Sequence, residues 1–229
     1  TPEKPYVQAT AAACLCNLAA NLKNKETLAQ SGAMHTLISV LSSGDSESAA
    51  QAAGALWSLC VDSDINKERL AQANAIPKLI ALLNSDDFFA QAQAAGALSE
   101  CSIRVDANKK RIADHGGVPR LCNLLQSQDL SVQRLASCAL CNICANHDDN
   151  KKRAREANAL PSLVRLMQES EVPEVQSPAA GAVCNLAMNC IENKQQLVQL
   201  GTIAVLQQLL RSPVGGVRDN AQAALDQLR

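Results

Sequence analysis

A chain of 229 residues has the length of two ordinary domains, and with one Trp, one Tyr and two Phe its 47% apolar content must build a core from Ala and Leu. The net charge of −1 supplies no general attraction to nucleic acid or to a membrane surface, and no apolar run approaches the roughly 20 residues of a membrane span. Ten cysteines sit inside Ala/Leu-rich stretches such as Ala13-Cys14-Leu15-Cys16. A free thiol there behaves as a small buried hydrophobe, so reduced cysteines and a cytoplasmic compartment are expected.

The opening stretch TPEKPY has the features of neither a signal peptide nor an amphipathic transit sequence. A first helix is predicted over roughly residues 5–20. Its apolar Val7, Ala11, Leu15 and Leu18 have no earlier element to cover them, which leads us to expect an N-terminal extension of the chain. From there the sequence is periodic. An Asn-Lys pair recurs at Asn24, Asn66, Asn108, Asn150 and Asn193, at spacings of 42, 42, 42 and 43. A fixed period of this size marks a solenoid, in which each unit buries its apolar face only against its neighbours. The expected organisation is one domain over 1–229: a partial repeat 1–23, then repeats of about 24–65, 66–107, 108–149, 150–192 and 193–229.

Each unit reads as three helices. A short one is predicted to start at the Asn, acting as N-cap, and to stop at Gly32, Asn74, Gly116, Asn158 or Gly201, residue types that accept a left-handed backbone. A second follows at once, with Pro77, Pro119 and Pro161 near its start, where a missing N–H costs little. A long third helix follows a polar break. Asn17, Ser58, Glu100, Asn142, Asn185 and Gln227 form one column on these third helices. Ala six residues earlier and an aliphatic residue two earlier place the core on one face. Four residues before the column every unit is small (Ala13, Gly54, Gly96, Cys138, Gly181 and Ala223). Four after it stand Asn21, Asp62, Arg104, Asn146 and Asn189, giving a polar, lightly furnished stripe.

The unit opening at Asn150 has one extra residue, placed in its QESEVPE loop, and Ser177-Pro178 reads as a late N-cap or a kink. The last helix turns hydrophilic at Asp219, Asn220, Gln222, Asp226 and Gln227, as a capping repeat should.

These residues resemble an armadillo repeat. Gly116-Gly117-Val118-Pro119-Arg120-Leu121 through Leu124-Leu125 fits the family's second helix, and AAGALWSLC, AAGALSECS and AAGAVCNLA fit its third. The resemblance implies an all-α, right-handed α-solenoid of about five three-helix repeats plus the N-terminal partial repeat. Its third helices would line a concave groove, where an Asn hydrogen-bonds the backbone of an extended partner. That Asn is present at Asn17, Asn142 and Asn185 and absent at Ser58, Glu100 and Gln227. Importin-α-like adaptors carry Trp four residues before the column; here that position is small, and the only Trp, Trp57, is one residue before the column. The unit style is similar to the fungal vacuolar armadillo protein, plant U-box armadillo arrays and the apicomplexan armadillo-repeats-only protein. These imply two alternative roles, an organelle tether held by a lipidated N-terminal segment and the substrate-recognition region of a ubiquitin ligase.

The expected function is a scaffold or adaptor that binds an extended or helical protein segment, with no enzymatic activity, cofactor, nucleic acid or small-molecule substrate. The expected binding residues are Asn17, Asn21, Ser58, Asp62, Glu100, Arg104, Asn142, Asn146, Asn185 and Asn189. Glu100 and Arg104, four apart, are expected to pair with each other or to select a charged partner residue. Lys109, Lys110, Arg111, Lys151, Lys152, Arg153 and Arg155 should stack into a basic patch facing an acidic partner or an anionic membrane surface, such as the cytosolic face of an organelle. Cys138, Cys141, Cys144 and His147 recur every three residues, a spacing that slips around the helix and does not converge on a metal. No paired carboxylates or nucleophile–base arrangement stands out.

Overall fold

A computed structural model describes residues 3–229; residues 1 and 2, the start of the TPEKPY stretch and of the partial repeat, lie outside the described residues. Among those described there are sixteen α-helices and no strand. A single helix α1 (Glu3–Ala19) precedes five triplets. These are α2 (Leu22–Gln30), α3 (Ala33–Val40) and α4 (Ser46–Cys60); α5 (Asp64–Gln72), α6 (Ala75–Leu82) and α7 (Phe88–Ser102); α8 (Asp106–Asp114), α9 (Gly117–Leu124) and α10 (Leu130–Cys144); α11 (Asp148–Glu156), α12 (Ala159–Glu169) and α13 (Pro173–Ala187); and α14 (Ile191–Gln199), α15 (Thr202–Leu209) and α16 (Gly215–Leu228). The helices fall into two compact units divided between Gly116 and Gly117. In the first unit α4 packs between α1 and α7; in the second α13 packs between α10 and α16. No helix among the described residues is long and apolar enough to cross a membrane.

Local chemistry explains the punctuation. Gly32, Asn74, Gly116, Asn158 and Gly201 all have positive φ, between 57° and 83°, and turn the chain directly from first to second helix. Pro77, Pro119 and Pro161 each occupy the third position of a second helix, within the first turn, whose N–H groups have no intrahelical acceptor. The third helices α4, α7 and α10 are capped by Asp45, Asp87 and Asp129, whose carboxylates accept from backbone N–H groups at 2.7–2.9 Å. In α13 the cap is replaced by Pro173 at the first position. Helix α13 then runs straight through Pro178, so the helix starts at Pro173 and Ser177 is not its cap. The extra residue of this unit does not lengthen the loop. It is taken up by α12, which has 11 residues where the other second helices have 8, leaving only 170–172 between helices.

The recurring Asn is not an N-cap. The caps of the first helices are Asn21, Ser63, Val105, His147 and Cys190, and the Asn lies three residues further in. Its side chain points backward. Asn66 Nδ2 donates to Leu59 O at 2.9 Å, Asn108 to Cys101 O at 2.8 Å, Asn150 to Ile143 O at 3.0 Å and Asn193 to Leu186 O at 2.8 Å. Asn24 does the same to Leu18 O at 3.0 Å. Each acceptor lies in the last turn of the preceding third helix, where carbonyls lack intrahelical donors.

The next residue reaches forward. Lys25 Nζ donates to Val61 O at 2.5 Å, Lys67 to Ile103 O at 3.4 Å and Lys151 to Met188 O at 2.7 Å. Those carbonyls belong to the C-caps of α4, α7 and α13, the negative ends of helix dipoles. At Asn24-Lys25, Asn66-Lys67 and Asn150-Lys151 the dipeptide therefore joins the C-terminal ends of two adjacent third helices, a structural reason for its recurrence.

Candidate functional site

The column residues occupy one side of the third helices, partly exposed. Asn17 is exposed, while Ser58, Glu100, Asn142, Asn185 and Gln227 are half-buried. Several are engaged within the stack. Ser58 Oγ lies 3.2 Å from Cys16 Sγ. Asn185 Nδ2 donates to Cys141 O at 2.9 Å and touches Cys141 Sγ at 3.2 Å, leaving its Oδ1 for an incoming donor. Glu100 Oε1 lies 3.1 Å from Lys67 Nζ, and Arg104 Nη2 lies 3.2 Å from Asp64 Oδ1. Glu100 and Arg104 thus take different partners rather than each other. Arg104 and then Lys67 hold the Asp64 carboxyl below its usual range.

The positions four after the column have a backbone role. Asp62, Arg104, Asn146 and Asn189 follow the third helices with φ of 54–61°. Asn tolerates this conformation best among residues with a Cβ, which accounts for its recurrence there. Asn21 is different: the loop before it is one residue shorter, and it caps α2 by accepting from Lys23 N at 2.9 Å.

The small residues four before the column are not empty space for a partner in the first unit. A Cβ at Gly54 would meet Gln93 Oε1 at 2.8 Å, and one at Gly96 would meet the Trp57 ring at 2.5 Å. At Gly96 the rigid ring leaves room only for glycine, whereas at Gly54 the flexible end of Gln93 fills the space. In the second unit Gly181 has room for a Cβ and no more crowding than ordinary contact: the nearest atoms are Cys141 Sγ at 3.5 Å and Asn220 Cγ at 3.6 Å.

That space belongs to a recess of about 530 Å³ between α10, α13 and α16. Asn142, Cys138 and Gly181 of the predicted stripe line it, together with Arg134, Glu174 and Ser177. Asn220 closes one end, its Nδ2 donating to Ser177 O and Oγ at 3.0 Å. Burial pushes the Cys141 thiol up to about 12 and raises Cys138 as well, so these two walls of the recess are neutral. The sequence reading missed Arg134 and Ser177, although a signal existed. Eight residues before the column stand Ala9, Ala50 and Ala92, then Arg134, Ser177 and Asp219: the position turns polar in the second unit. A depression of about 570 Å³ beside the loop after α3 is lined by groups already engaged, including Lys78, which donates to Ile38 O at 3.0 Å.

The basic patch needs correction. Lys109 and Lys151 are buried, at 6% and 2% exposure, their ammonium groups paired with Asp106 at 2.8 Å and Asp148 at 3.0 Å. Of the rest, Lys110 pairs with Asp114 at 2.7 Å and Lys152 with Glu156 at 3.9 Å. Arg111 donates to Asn108 Oδ1 at 3.1 Å and Arg155 to Asn193 Oδ1 at 2.8 Å. Arg153 is exposed. His147 caps α11 through Nδ1, which accepts from Asn150 N at 3.4 Å, and Cys144 is buried; the described residues hold no cluster with metal-ligand geometry.

Three-helix units whose third helices stack side by side and whose ends are tied carbonyl to carbonyl define an α-solenoid scaffold. The armadillo/β-catenin-like repeat pattern matches residues 21–61, 63–103, 106–145 and 147–188. The chain belongs to the armadillo-repeat family. Two engineered proteins of known crystal structure are similar to it. One has a TM-score of 0.92 and 33% identity over 98% of this chain and 91% of its own; the other has 0.92 and 32% over 97% and 92%. A designed armadillo repeat protein in complex with the peptide (KR)4 superposes with a TM-score of 0.84 at 25% identity, covering 96% of this chain and 92% of its own. No curated protein sequence matches the chain.

Proposed function

We propose that this protein is a binding scaffold whose third-helix stripe receives an extended or helical segment of a protein partner. The observation that carries the reading is the recess on α10, α13 and α16. Three successive third helices present polar groups there, beside a glycine that leaves the recess unfilled. Designed relatives support it: one was made for modular peptide recognition and another is seen with a bound peptide. In this mechanism Asn142 and the free Oδ1 of Asn185 in the second unit meet the partner's backbone, and Asn17 in the first unit offers the same amide group, an exchange of hydrogen bonds that does not depend on a partner's side chains. Armadillo repeats are a non-catalytic scaffold fold, so the work is positioning rather than chemistry. Ten free thiols favour a cytoplasmic setting. The organelle-tether and ubiquitin-ligase roles would employ the same stripe, and no observation favours either over a plain adaptor.

Photo-cross-linking tests the reading. A benzophenone amino acid is placed at Asn142 or Ala223, on the third-helix stripe, or at exposed Gln168 on α12. Partner adducts from the first two positions and not from the third are expected. Adducts formed equally from Gln168, or at none of the three, would sink it.

A further inference from the structure

The recess in the second unit carries a charge arrangement that selects among partners. Arg134 on α10 and Glu174 on α13 line the same recess, yet they are not paired with each other, and neither has a hydrogen bond or ion pair among the described residues. Elsewhere on the stripe Glu100 is engaged by Lys67 and Arg104 by Asp64, and exposed Asp62 has no ion pair among the described residues. A second observation lies in the backbone. Helix α13 passes through Pro178, which has no N–H, so the Glu174 carbonyl four residues earlier has no α-helical donor from that position. The recess thus offers an unpaired cation, an unpaired anion and a backbone acceptor on one wall, with Pro178 and Cys138 as apolar floor.

We infer that, on the groove-binding reading above, the occupant is a protein segment of mixed charge: an acidic side chain against Arg134 and a basic one against Glu174, with a small apolar residue between them over Pro178. The spacing follows from geometry. Packed helices lie about 8–10 Å apart, and an extended chain advances about 3.3–3.6 Å per residue. The two charges of the partner are therefore about three residues apart. Their order along the chain fixes the direction in which the segment lies, since reversal would set like charges against each other. An all-basic peptide such as (KR)4 is disfavoured, because it sets a cation against Arg134.

The test is selection of a displayed random nonapeptide library on the intact chain, on R134E, on E174K and on the double variant R134E/E174K. Thermal melts establish that each is folded. Wild type is expected to enrich peptides with Asp or Glu two to four residues from Lys or Arg. Each single reversal is expected to weaken the best peptide by about tenfold, equivalent to about 1.4 kcal/mol, and the double reversal to enrich the opposite order of signs. Gly181→Trp, or Gly181→Leu if the larger residue does not fold, fills the recess and separates the two readings. Peptides lost on filling but indifferent to both charge reversals would overturn this inference and leave groove binding standing. Peptides that survive filling, or no enrichment at all, would overturn both.

Discussion

The Trp57 indole lies directly over Gly96, so close that a Cβ on that glycine would come within 2.5 Å of ring carbons Cε3 and Cζ3. The aromatic ring of α4 and the missing side chain of α7 are one fitted pair, and neither can change alone.

Gly96→Ala is therefore expected to destabilise the protein despite its better helix propensity. Overpacking costs about 1–3 kcal/mol against a helix gain of about 1 kcal/mol, for a net loss of about 1 kcal/mol. Because Trp57 is the only Trp, its emission reads the site directly during urea unfolding. An unchanged midpoint and unchanged native emission would show that the ring does not press on Gly96.

Asn66→Ala removes a buried amide that serves Leu59 O and accepts from Arg69 at 3.3 Å. Leaving a buried carbonyl without its donor costs about 1–3 kcal/mol. The loss should clearly exceed that of Asn123→Ala, whose side chain is exposed on α9, in paired denaturant titrations. Equal losses would contradict the backward tie.

Lys67→Met strands two acceptors, Glu100 and Ile103 O. Breaking a buried charge pair from one side costs about 3–5 kcal/mol, and the partly open Glu100 should place the loss at the lower end. Adding Glu100→Gln to Lys67→Met should recover part of it. A strictly additive double mutant would argue against coupling.

Asp64 gives a pH signature. Its folded carboxyl titrates below the unfolded value, chiefly because of Arg104 and then Lys67. The native state thus favours the ionised form. The resulting stability is present above the unfolded value and is lost as pH falls through the folded one. Wild type should lose more of its melting temperature between pH 6 and pH 3 than Asp64→Asn does. The difference should be small, since the group is solvent-exposed and screened. Parallel acid limbs for the two proteins would refute the assignment.

Thiol reactivity should be steeply graded. Burial pushes Cys101, Cys122 and Cys141 up to about 12 and raises Cys60 well above the ordinary range, whereas Cys14 is exposed. Only the thiolate attacks. With an aromatic disulfide reagent at pH 8, Cys14 should be labelled in the native protein, while those four wait for denaturant. Mass spectrometry of the labelled peptides reads the order.

The period, the triplets and the left-handed Gly or Asn between first and second helices were legible in the sequence, because each rests on local backbone preference or on helical spacing. The role of the recurring Asn was not. Asn is a good cap on local grounds, and only packing reveals that Ser63 or His147 caps instead while the amide reaches back seven residues. Nor does sequence reveal that Lys109 and Lys151 are buried: lysine in a run of three basic residues reads as surface unless the carbonyl it serves is seen. The glycines of α4 and α7 read as room for a partner, but they are room for Gln93 and Trp57. At Gly181, where Cys141 and Asn220 stop at ordinary contact distance, the same residue type lines a recess.

The joints made by Asn24-Lys25, Asn66-Lys67 and Asn150-Lys151 end on carbonyl oxygens, which every amino acid has. No side chain of the third helices is needed to complete them. A residue such as Gln227 can therefore change without touching these joints, and a duplicated stretch of one full period would carry the same donors to the same kind of acceptor. Binding preference and folding are inherited here on separate sets of positions, which is a sound material basis for a protein lineage that changes its partners more readily than its shape.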